Sequence, residues 1–425
     1  MGNKNTKRFD LSDYLIHFFR AIKTDGDSAP DLPEDMGFGN ISEDTEWPAI
    51  FTLRCAIRHS LLLATWSYRN GVRTIYGPRP AVCFTEMPLA AFLESSAARE
   101  ERGEAMSTYA LVFRKSAMFR YGTNPVIYGL SDRNAQLPPG NEGKTRIIDE
   151  SLLPTSEQYR YVTFRPDLPR AIDWTHEREW RWSYRKSLDA YEKELDEFGV
   201  VSEITEMPHM DISLDMCKGM GVVVKSKKEV SWVASDILTL VDRGRVESDH
   251  YEFILCAELL TPATLREPAE VTRAFEKALI DLSPYFATPD EMAADIDKRI
   301  SQRATAIAAH PPEEEGELIE FGKAWLWIVD NTSELARGLI KSGRITVSNE
   351  GRYLANVPEF DGGLTLSQQE SMISTLAEQV NQEFHVECGY FSVLGSLDMN
   401  DVPFYCDDFL DNRHFYNLAK DSDLE

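Results

Sequence analysis

Two glutamates separated by a single residue are the side chains of this 425-residue chain most suited to chemistry. Glu177 and Glu179 lie in the run 173–182, DWTHEREWRW. If this run enters a β-strand, alternation places Glu177, Glu179 and Arg181 on one face of the strand. Two carboxylates and a guanidinium on one face indicate either the floor of a polar cleft or a ladder of ion pairs with the neighbouring arginines.

Further polar side chains lie in, or next to, short apolar runs that predict strands. They are His17, Arg20, Arg79, Glu86 and Tyr128. No GxSxG, P-loop, GxGxxG or HExxH pattern occurs in the sequence, and the six cysteines include no CxxC pair. The scattered cysteines therefore indicate buried free thiols, and we expect no metal site.

The elements that must position these side chains are short and irregularly linked. Residues 14–20, 81–86, 109–113 and 237–241 predict strands because they are compact apolar runs bounded by turn residues. Apolar residues at helical spacing predict an amphipathic helix over 53–64. Strands and helices in this irregular order favour an α+β fold over regular βαβ alternation.

Three regions are predicted along the chain. Residues 1–261 form a mixed domain with a small sheet, and residues 262–316 form a helical linker that ends in the cluster PPEEEG. Residues 317–425 form a smaller α+β domain with a strand, a helix, a hairpin and a helix whose capping box is Ser367–Glu370. The chain is therefore expected to carry two folded domains.

Charge is distributed unevenly between these regions. The whole chain has a formal net charge of −25, which argues against sequence-independent binding of nucleic-acid backbones along its full length. Residues 101–186 nevertheless hold 14 Lys+Arg against 11 Asp+Glu, whereas residues 301–425 hold 8 against 22. The middle of the chain is thus the part suited to an anionic ligand.

Membrane insertion and secretion are not expected. No apolar run approaches the ~18–20 residues needed to span a bilayer, and the N-terminal residues lack the apolar core of a secretion signal. The sequence therefore predicts a cytoplasmic protein without a membrane partner.

The order of these segments resembles the layout of ADP-ribosyltransferases over about residues 10–260. The resemblance is carried by His17-Phe18 on the first strand, by residues 82–86 and 122–128, and by the Glu-x-Glu at 177–179. The same segments look like bacterial proteins associated with phage defence and abortive infection. The first strand departs from the pattern, because it lacks the hydroxyl residue that many relatives carry two positions after the histidine. The C-terminal domain resembles only a domain of unknown function.

The resemblance implies an NAD-dependent, toxin-like effector that transfers ADP-ribose to a nucleic acid or a protein. It implies that Glu179 is catalytic and that Glu177 orients the acceptor or raises the pKa of its neighbour. It also implies a set of residues that hold NAD: His17 on a ribose hydroxyl, Arg20 or Arg79 on the pyrophosphate, Tyr128 stacked on nicotinamide, and Glu86 nearby as a rival catalytic carboxylate. The acidic C-terminal domain would then regulate the activity or bind a partner such as an antitoxin.

Three alternatives remain at this point. Water could be the acceptor, which would make the protein an NAD glycohydrolase. The charged cleft could instead dock a partner without catalysis, as in a sensor or an antitoxin-like component. A metal-dependent nuclease could use Glu86, Glu177 and Glu179 to hold a hard cation.

Overall fold

The computed structural model describes residues 11–23, 46–69, 72–104, 106–130, 146–167, 172–198, 201, 204–312 and 320–406. The contacts between residues divide the chain into two compact units. The first comprises Met1–Ser231 and Asp249–Asp281, and the second comprises Trp232–Ser248 and Leu282–Glu425. Strands and helices are mixed in both, so the predicted α+β class is confirmed.

Short strands dominate the first unit. In chain order they are β1 (Tyr14–Phe18), β2 (Ile22–Lys23), β3 (Glu46–Trp47), β4 (Leu61–Leu63), β5 (Tyr68–Arg69), β6 (Val72–Arg73), β7 (Ala81–Thr85), β8 (Ala110–Arg114), β9 (Asn124–Pro125), β10 (Ile127–Tyr128), β11 (Tyr161–Val162), β12 (Glu179–Ser183), β13 (His209–Asp211), β14 (Met220–Val224), β15 (Tyr251–Cys256) and β16 (Leu279–Ile280). Eight of them form one sheet in the order β16-β15-β14-β8-β1-β7-β12-β9. The pair β14 and β15 is parallel and the other pairs in this sheet are antiparallel.

The first unit also contains helices. They are α1 (Ala49–His59), α2 (Leu89–Glu101), α3 (Lys115–Arg120), α4 (Asp189–Phe198), α6 (Pro262–Arg266) and α7 (Pro268–Ala278). Phe92 and Leu93 of α2 pack with Ile16 of β1 and Val112 of β8 in one core cluster. Burial of these apolar side chains is what holds α2 on one face of the sheet.

Two sequence-based assignments are wrong. The first is wrong because short apolar runs do not distinguish a strand from a helix. Residues 237–241, predicted as a strand, belong to helix α5 (Lys227–Asp242). The first helix ends at His59 instead of continuing to residue 64. Ser60 adopts a left-handed conformation with φ 55°, which turns the chain from α1 into β4.

The second unit is a five-stranded antiparallel sheet packed against helices. Its elements are α8 (Asp290–Ala308), β17 (Gly322–Ile328), α9 (Glu334–Lys341), β18 (Ile345–Val347), β19 (Tyr353–Ala355), α10 (Leu366–Phe384), β20 (Cys388–Leu394) and β21 (Tyr405–Cys406), and the strand order is β18-β19-β17-β20-β21. The capping box of α10 is formed by Thr365 and Gln368, two residues before the predicted one. Ser333 caps α9.

A buried polar network ties the second half of α5 to this sheet. Arg337 on α9 forms an ion pair with Asp242, and both side chains are less than a tenth exposed. The hydroxyl of Tyr353 donates to Oδ2 of Asp242 over 2.7 Å, and Nδ2 of Asn331 donates to the Tyr353 hydroxyl over 2.9 Å. Burial, reinforced by the negative charge of Asp242, raises the pKa of Tyr353 well above its ordinary value.

The segment predicted as a linker contributes to both units. Within 262–316, α6 and α7 belong to the first unit, while Ile296, Ile300 and Ala304 of α8 lie in the core of the second. Residues 313–316 of the predicted cluster lie outside the described residues. Among the described residues, none of the helices is long and apolar enough to cross a membrane.

Candidate functional site

The strand that carries the candidate carboxylates starts later than the sequence predicts. Thr175–Glu177 form a 3₁₀ turn, Arg178 adopts a left-handed conformation with φ 46°, and β12 begins at Glu179. The alternation predicted for Glu177, Glu179 and Arg181 is therefore wrong for Glu177, because the turn interrupts it. Glu179 and Arg181 do share a face of the strand.

Glu179 is fixed by a buried guanidinium. Nε of Arg181 donates to Oε1 of Glu179 over 2.7 Å, and the side chains are 5% and 19% exposed respectively. Nη1 of Arg181 donates to the carbonyl oxygens of Tyr159 at 2.7 Å and Tyr161 at 3.3 Å. Burial opposes the positive charge of Arg181, but Glu179 and, after it, Cys83 together hold the arginine pKa above its ordinary value. Glu179 is thus placed rigidly, with part of its surface open.

Cys83 completes this buried polar layer. It pairs with Arg181 across the register of β7 and β12, so the two side chains share a face. Burial, and then the charge of Glu179, raise the pKa of the Cys83 thiol, which keeps it protonated. The cysteine therefore acts as a neutral neighbour of the ion pair.

Glu177 is held by an arginine of α2. Its Oε1 accepts from Nη1 of Arg99 at 2.7 Å, and Nε of Arg99 donates to Oε2 of Glu104 at 2.7 Å. The carbonyl oxygen of Glu177 accepts from the Thr85 hydroxyl at 2.6 Å, and that hydroxyl accepts from the Met87 N–H at 3.1 Å. These bonds lock the 3₁₀ turn against the end of β7.

Tyr128 joins the same end of the sheet through its hydroxyl group. The hydroxyl accepts from the backbone N–H of Glu179 and donates to the carbonyl of Trp174, both at 3.2 Å. Burial raises the pKa of Tyr128, so the hydroxyl stays protonated. The structure thus places Tyr128 where it positions the backbone at the start of β12.

Glu86 lies near Glu179 in the sheet, but its side chain points to the other face. Its Oε1 accepts from Nζ of Lys115 at 2.8 Å, and its Oε2 accepts from Nε1 of Trp180 at 2.7 Å. Trp180 and Glu179 are consecutive residues of β12 and point to opposite faces. The carboxylate of Glu86 therefore lies on the face opposite that of Glu179.

His17 is on that opposite face as well. The register pairs Ile16 with Thr85 and Thr85 with Glu179, so these three side chains share one face, and His17 takes the other. The His17 ring contacts the ring of Phe84 at a centroid distance of 5.7 Å, and its Nδ1 hydrogen-bonds to the carbonyl of Cys83 at 2.8 Å. Burial lowers the pKa of His17 to about 4. The structure does not bring His17 together with Glu179.

The two arginines predicted to hold the pyrophosphate lie at the far end of the strands. Arg20 follows the end of β1 and Arg79 precedes β7, and because these strands are antiparallel both positions lie away from Glu86. The five-residue strand β7 lies between Arg79 and Glu86, which separates them by roughly 20 Å along the chain. Nη1 of Arg79 donates weakly to the carbonyl of Tyr184 at 3.5 Å.

Arg99 and Lys115 were not singled out from the sequence. Each is separated from its partner by many residues, 78 between Arg99 and Glu177 and 29 between Lys115 and Glu86. No local pattern encodes such pairs. The Glu-x-Arg spacing of 179–181 did carry a signal, since it placed Arg181 on the face of Glu179.

One region of the chain matches a known protein family. Residues 291–418 match a family described as Protein of unknown function (DUF4427). That match confirms the predicted resemblance of the C-terminal region to a domain of unknown function. No curated protein and no solved structure matches the chain.

The three carboxylates considered for a metal site are not gathered around one point. Glu86 takes the face opposite to Glu179, and each of the two has a basic partner. Within the described ranges, no group of three or more His, Cys, Asp and Glu side chains is arranged to hold a metal ion.

Proposed function

We propose that this protein is an NAD-dependent ADP-ribosyltransferase, a toxin-like effector of phage defence, with Glu179 as its catalytic carboxylate. The observation that supports the proposal is the pairing of Glu179 with Arg181. Nε of the buried Arg181 lies 2.7 Å from Oε1 and orients the carboxylate, while the Glu179 side chain remains 19% exposed at the start of β12. A carboxylate held in a fixed orientation beside the ribose is what stabilises a developing oxocarbenium ion.

The reaction proposed for this carboxylate is a displacement at the nicotinamide ribose. The bond from C1′ to the nicotinamide nitrogen breaks, and its electron pair neutralises the pyridinium charge of the departing nicotinamide. The acceptor oxygen or nitrogen forms a bond to C1′, and its proton passes to Glu179. With water as acceptor the same sequence yields free ADP-ribose and a proton.

The residues assigned to NAD do not all fit one binding site. Glu177, Glu179 and Tyr128 lie at one end of the sheet, where the reacting end of NAD would bind. His17 lies on the opposite face, and Arg20 and Arg79 lie at the other end. The proposal therefore depends on the first group, and contacts of His17, Arg20 and Arg79 with NAD remain predictions.

Incubation of the purified protein with labelled NAD and cell extract tests the proposal. We expect label on nucleic acid or protein with the wild type, and loss of that label with Glu179→Gln and Glu179→Asp. The aspartate retains the charge that Arg181 requires but withdraws the carboxylate by one methylene, which separates catalysis from folding. Glu252→Gln, which removes an exposed partner of Arg114, is the matched control and should leave labelling unchanged.

Thermal unfolding of each variant shows whether it is folded. Folded protein that neither labels an acceptor nor releases nicotinamide would overturn the proposal. Nicotinamide release without a labelled macromolecule would establish the hydrolase in place of the transferase.

A second candidate, a non-catalytic module that docks a partner protein, is favoured by one observation. Each of the three candidate carboxylates is in an ion pair: Glu86 with Lys115, Glu177 with Arg99, and Glu179 with Arg181. Ion pairs of this kind are common in purely structural positions. If this candidate is correct, Glu179→Asp leaves the cellular phenotype intact and NAD is not consumed.

A further inference from the structure

An aromatic surface runs along the face of β12 that is opposite to Glu179. It consists of Phe119, Tyr121, Trp180 and Trp182, which we call the aromatic stripe. The rings of Phe119 and Trp180 meet edge to face with centroids 6.5 Å apart, and those of Tyr121 and Trp182 are 5.9 Å apart. The four rings thus form two adjacent pairs.

Strand geometry explains this arrangement. Trp180 and Trp182 alternate with the inward-facing Arg181, so both indoles emerge on the same face, about 7 Å apart along the strand. The end of α3 brings Phe119 and Tyr121 over them. Both indole N–H groups are bonded within the protein, Trp180 to Glu86 at 2.7 Å and Trp182 to the carbonyl of Tyr121 at 3.2 Å.

The outer ring of the stripe is strongly exposed. Phe119 is 58% exposed, although its neighbours Ala117 and Met118 in α3 are buried. Trp180, Trp182 and Tyr121 are partly buried. A large apolar ring held out over a tryptophan offers a flat surface on which another planar group can stack.

Unneutralised positive charge flanks these rings. Arg120 follows Phe119, and Arg185 and Lys186 follow β12; all three are exposed and form no ion pair with any residue that the structure describes. Glu86, which accepts from the Trp180 indole, is paired with Lys115, whereas burial and the nearby charge of Asp211 raise the pKa of Tyr121. Three exposed cations therefore adjoin the stripe in the sequence, although the whole chain is strongly acidic.

We propose that the aromatic stripe binds single-stranded nucleic acid. Aromatic rings combined with cations are what such ligands require, because unpaired bases stack on the rings and the backbone contacts the charges. A duplex would not fit this chemistry, since its bases are already stacked on one another. The inference that the stripe binds single-stranded nucleic acid does not depend on the proposed transferase. The further step, that this nucleic acid is the acceptor of ADP-ribose, rests on the proposed function.

Fluorescence anisotropy with labelled oligouridylate and oligothymidylate, each about 20 nucleotides long, tests the inference. We expect both to bind more tightly than a duplex of equal length, and the comparison of the two distinguishes RNA from DNA. Three cations contacting phosphates predict that the logarithm of the association constant falls with the logarithm of salt concentration with a slope of about −2.

Matched substitutions test the residues. Phe119→Ala should weaken binding roughly 5- to 150-fold, because that is the range for losing one stacked base. Phe198→Ala is the control, since Phe198 is 70% exposed on α4 and lies outside the stripe. Arg185→Gln should lower the magnitude of the salt slope by about 0.7, whereas Arg273→Gln, at an exposed position on α7, should not change it.

The possible outcomes separate this inference from the proposed function. Absence of oligonucleotide binding, or equal loss with Phe119→Ala and Phe198→Ala, overturns the inference, even if NAD is consumed. Label from NAD found only on protein, and retained with Phe119→Ala, overturns the role of the stripe in acceptor binding. Oligonucleotide binding that depends on Phe119, in a protein that does not consume NAD, supports the inference and refutes the proposed function.

Discussion

The guanidinium of Arg181 reaches back two residues along its own strand to hold the carboxylate of Glu179 at 2.7 Å. The arginine is buried beneath the glutamate and also donates to the carbonyls of Tyr159 and Tyr161. Orientation of the candidate catalytic group therefore depends on a charge that water scarcely reaches.

Replacement of Arg181 should lower the stability of the first unit far more than replacement of an exposed arginine. Arg181→Met leaves Glu179 without its partner in a half-buried position, and breaking such a pair costs about 3–5 kcal/mol. We expect a lower urea midpoint for unfolding of the first unit. Arg185→Met, at an exposed position four residues later, should change the free energy of unfolding by less than about 0.5 kcal/mol. Equal midpoints for the two variants would contradict this account of Arg181.

Acid should destabilise the first unit through its histidines. Burial lowers the pKa of His17 to about 4, and burial with the charge of Arg58 does the same for His59. The unfolded chain binds these protons below about pH 6.5, whereas the folded chain binds them only near pH 4. The free energy of unfolding should therefore fall as pH drops from 6.5 to 4, by at most about 3 kcal/mol for each histidine.

Denaturation curves at several pH values measure this effect. His17→Gln should flatten the decline, because one of the histidines with a lowered pKa is gone; His59 and His250, whose pKa burial also lowers, remain. His176→Gln removes a histidine whose side chain is 61% exposed and should leave the decline unchanged. A decline of the same size in His17→Gln and in the wild type would show that His17 does not contribute.

Glu177 should influence the acceptor more than the breaking of the nicotinamide bond. Its partner Arg99 lies on α2, so the carboxylate is fixed separately from Glu179. If the proposed transferase is correct, Glu177→Gln lowers transfer to a macromolecule by about tenfold or more but retains release of nicotinamide to water. Glu104→Gln, which removes the other carboxylate on Arg99, is the control and should retain both activities. Parallel loss of transfer and hydrolysis in Glu177→Gln would assign Glu177 to the bond-breaking step.

The buried pair of Asp242 and Arg337 should dominate the stability of the second unit. Asp242→Asn leaves Arg337 buried without a countercharge and should cost about 3–5 kcal/mol. Hydrogen exchange measured on peptides from β17 and β19 should accelerate accordingly. The exposed pair of Lys341 and Asp290 offers the comparison, since Asp290→Asn should cost less than about 1 kcal/mol. Unchanged exchange in Asp242→Asn would show that the network contributes little.

Local sequence patterns predicted which side chains share a face within one strand, but not which side chains meet between strands. The spacing of Glu179 and Arg181 was enough to place both on one face, because alternation is a property of one strand. The opposite orientation of His17 depends on the register of β1 against β7, and nothing within β1 encodes that register. Arg99 was not predicted, because its partner Glu177 is 78 residues away and no local pattern links the two. The assignment of 237–241 failed because Ile237, Leu238 and Leu240 are all buried, which removes the polar face that distinguishes a helix from a strand.

The second unit is assembled from two separate stretches of the chain. This limits the transfer of either stretch alone to another protein during evolution. The family match begins at residue 291, whereas Asp242, which neutralises Arg337, comes from the stretch Trp232–Ser248. A gene fragment encoding only the matched region would supply the arginine without its countercharge. We therefore expect that transfer of this region to another protein requires either the helix that carries Asp242 or a replacement of Arg337. The two segments should accordingly be kept together during evolution.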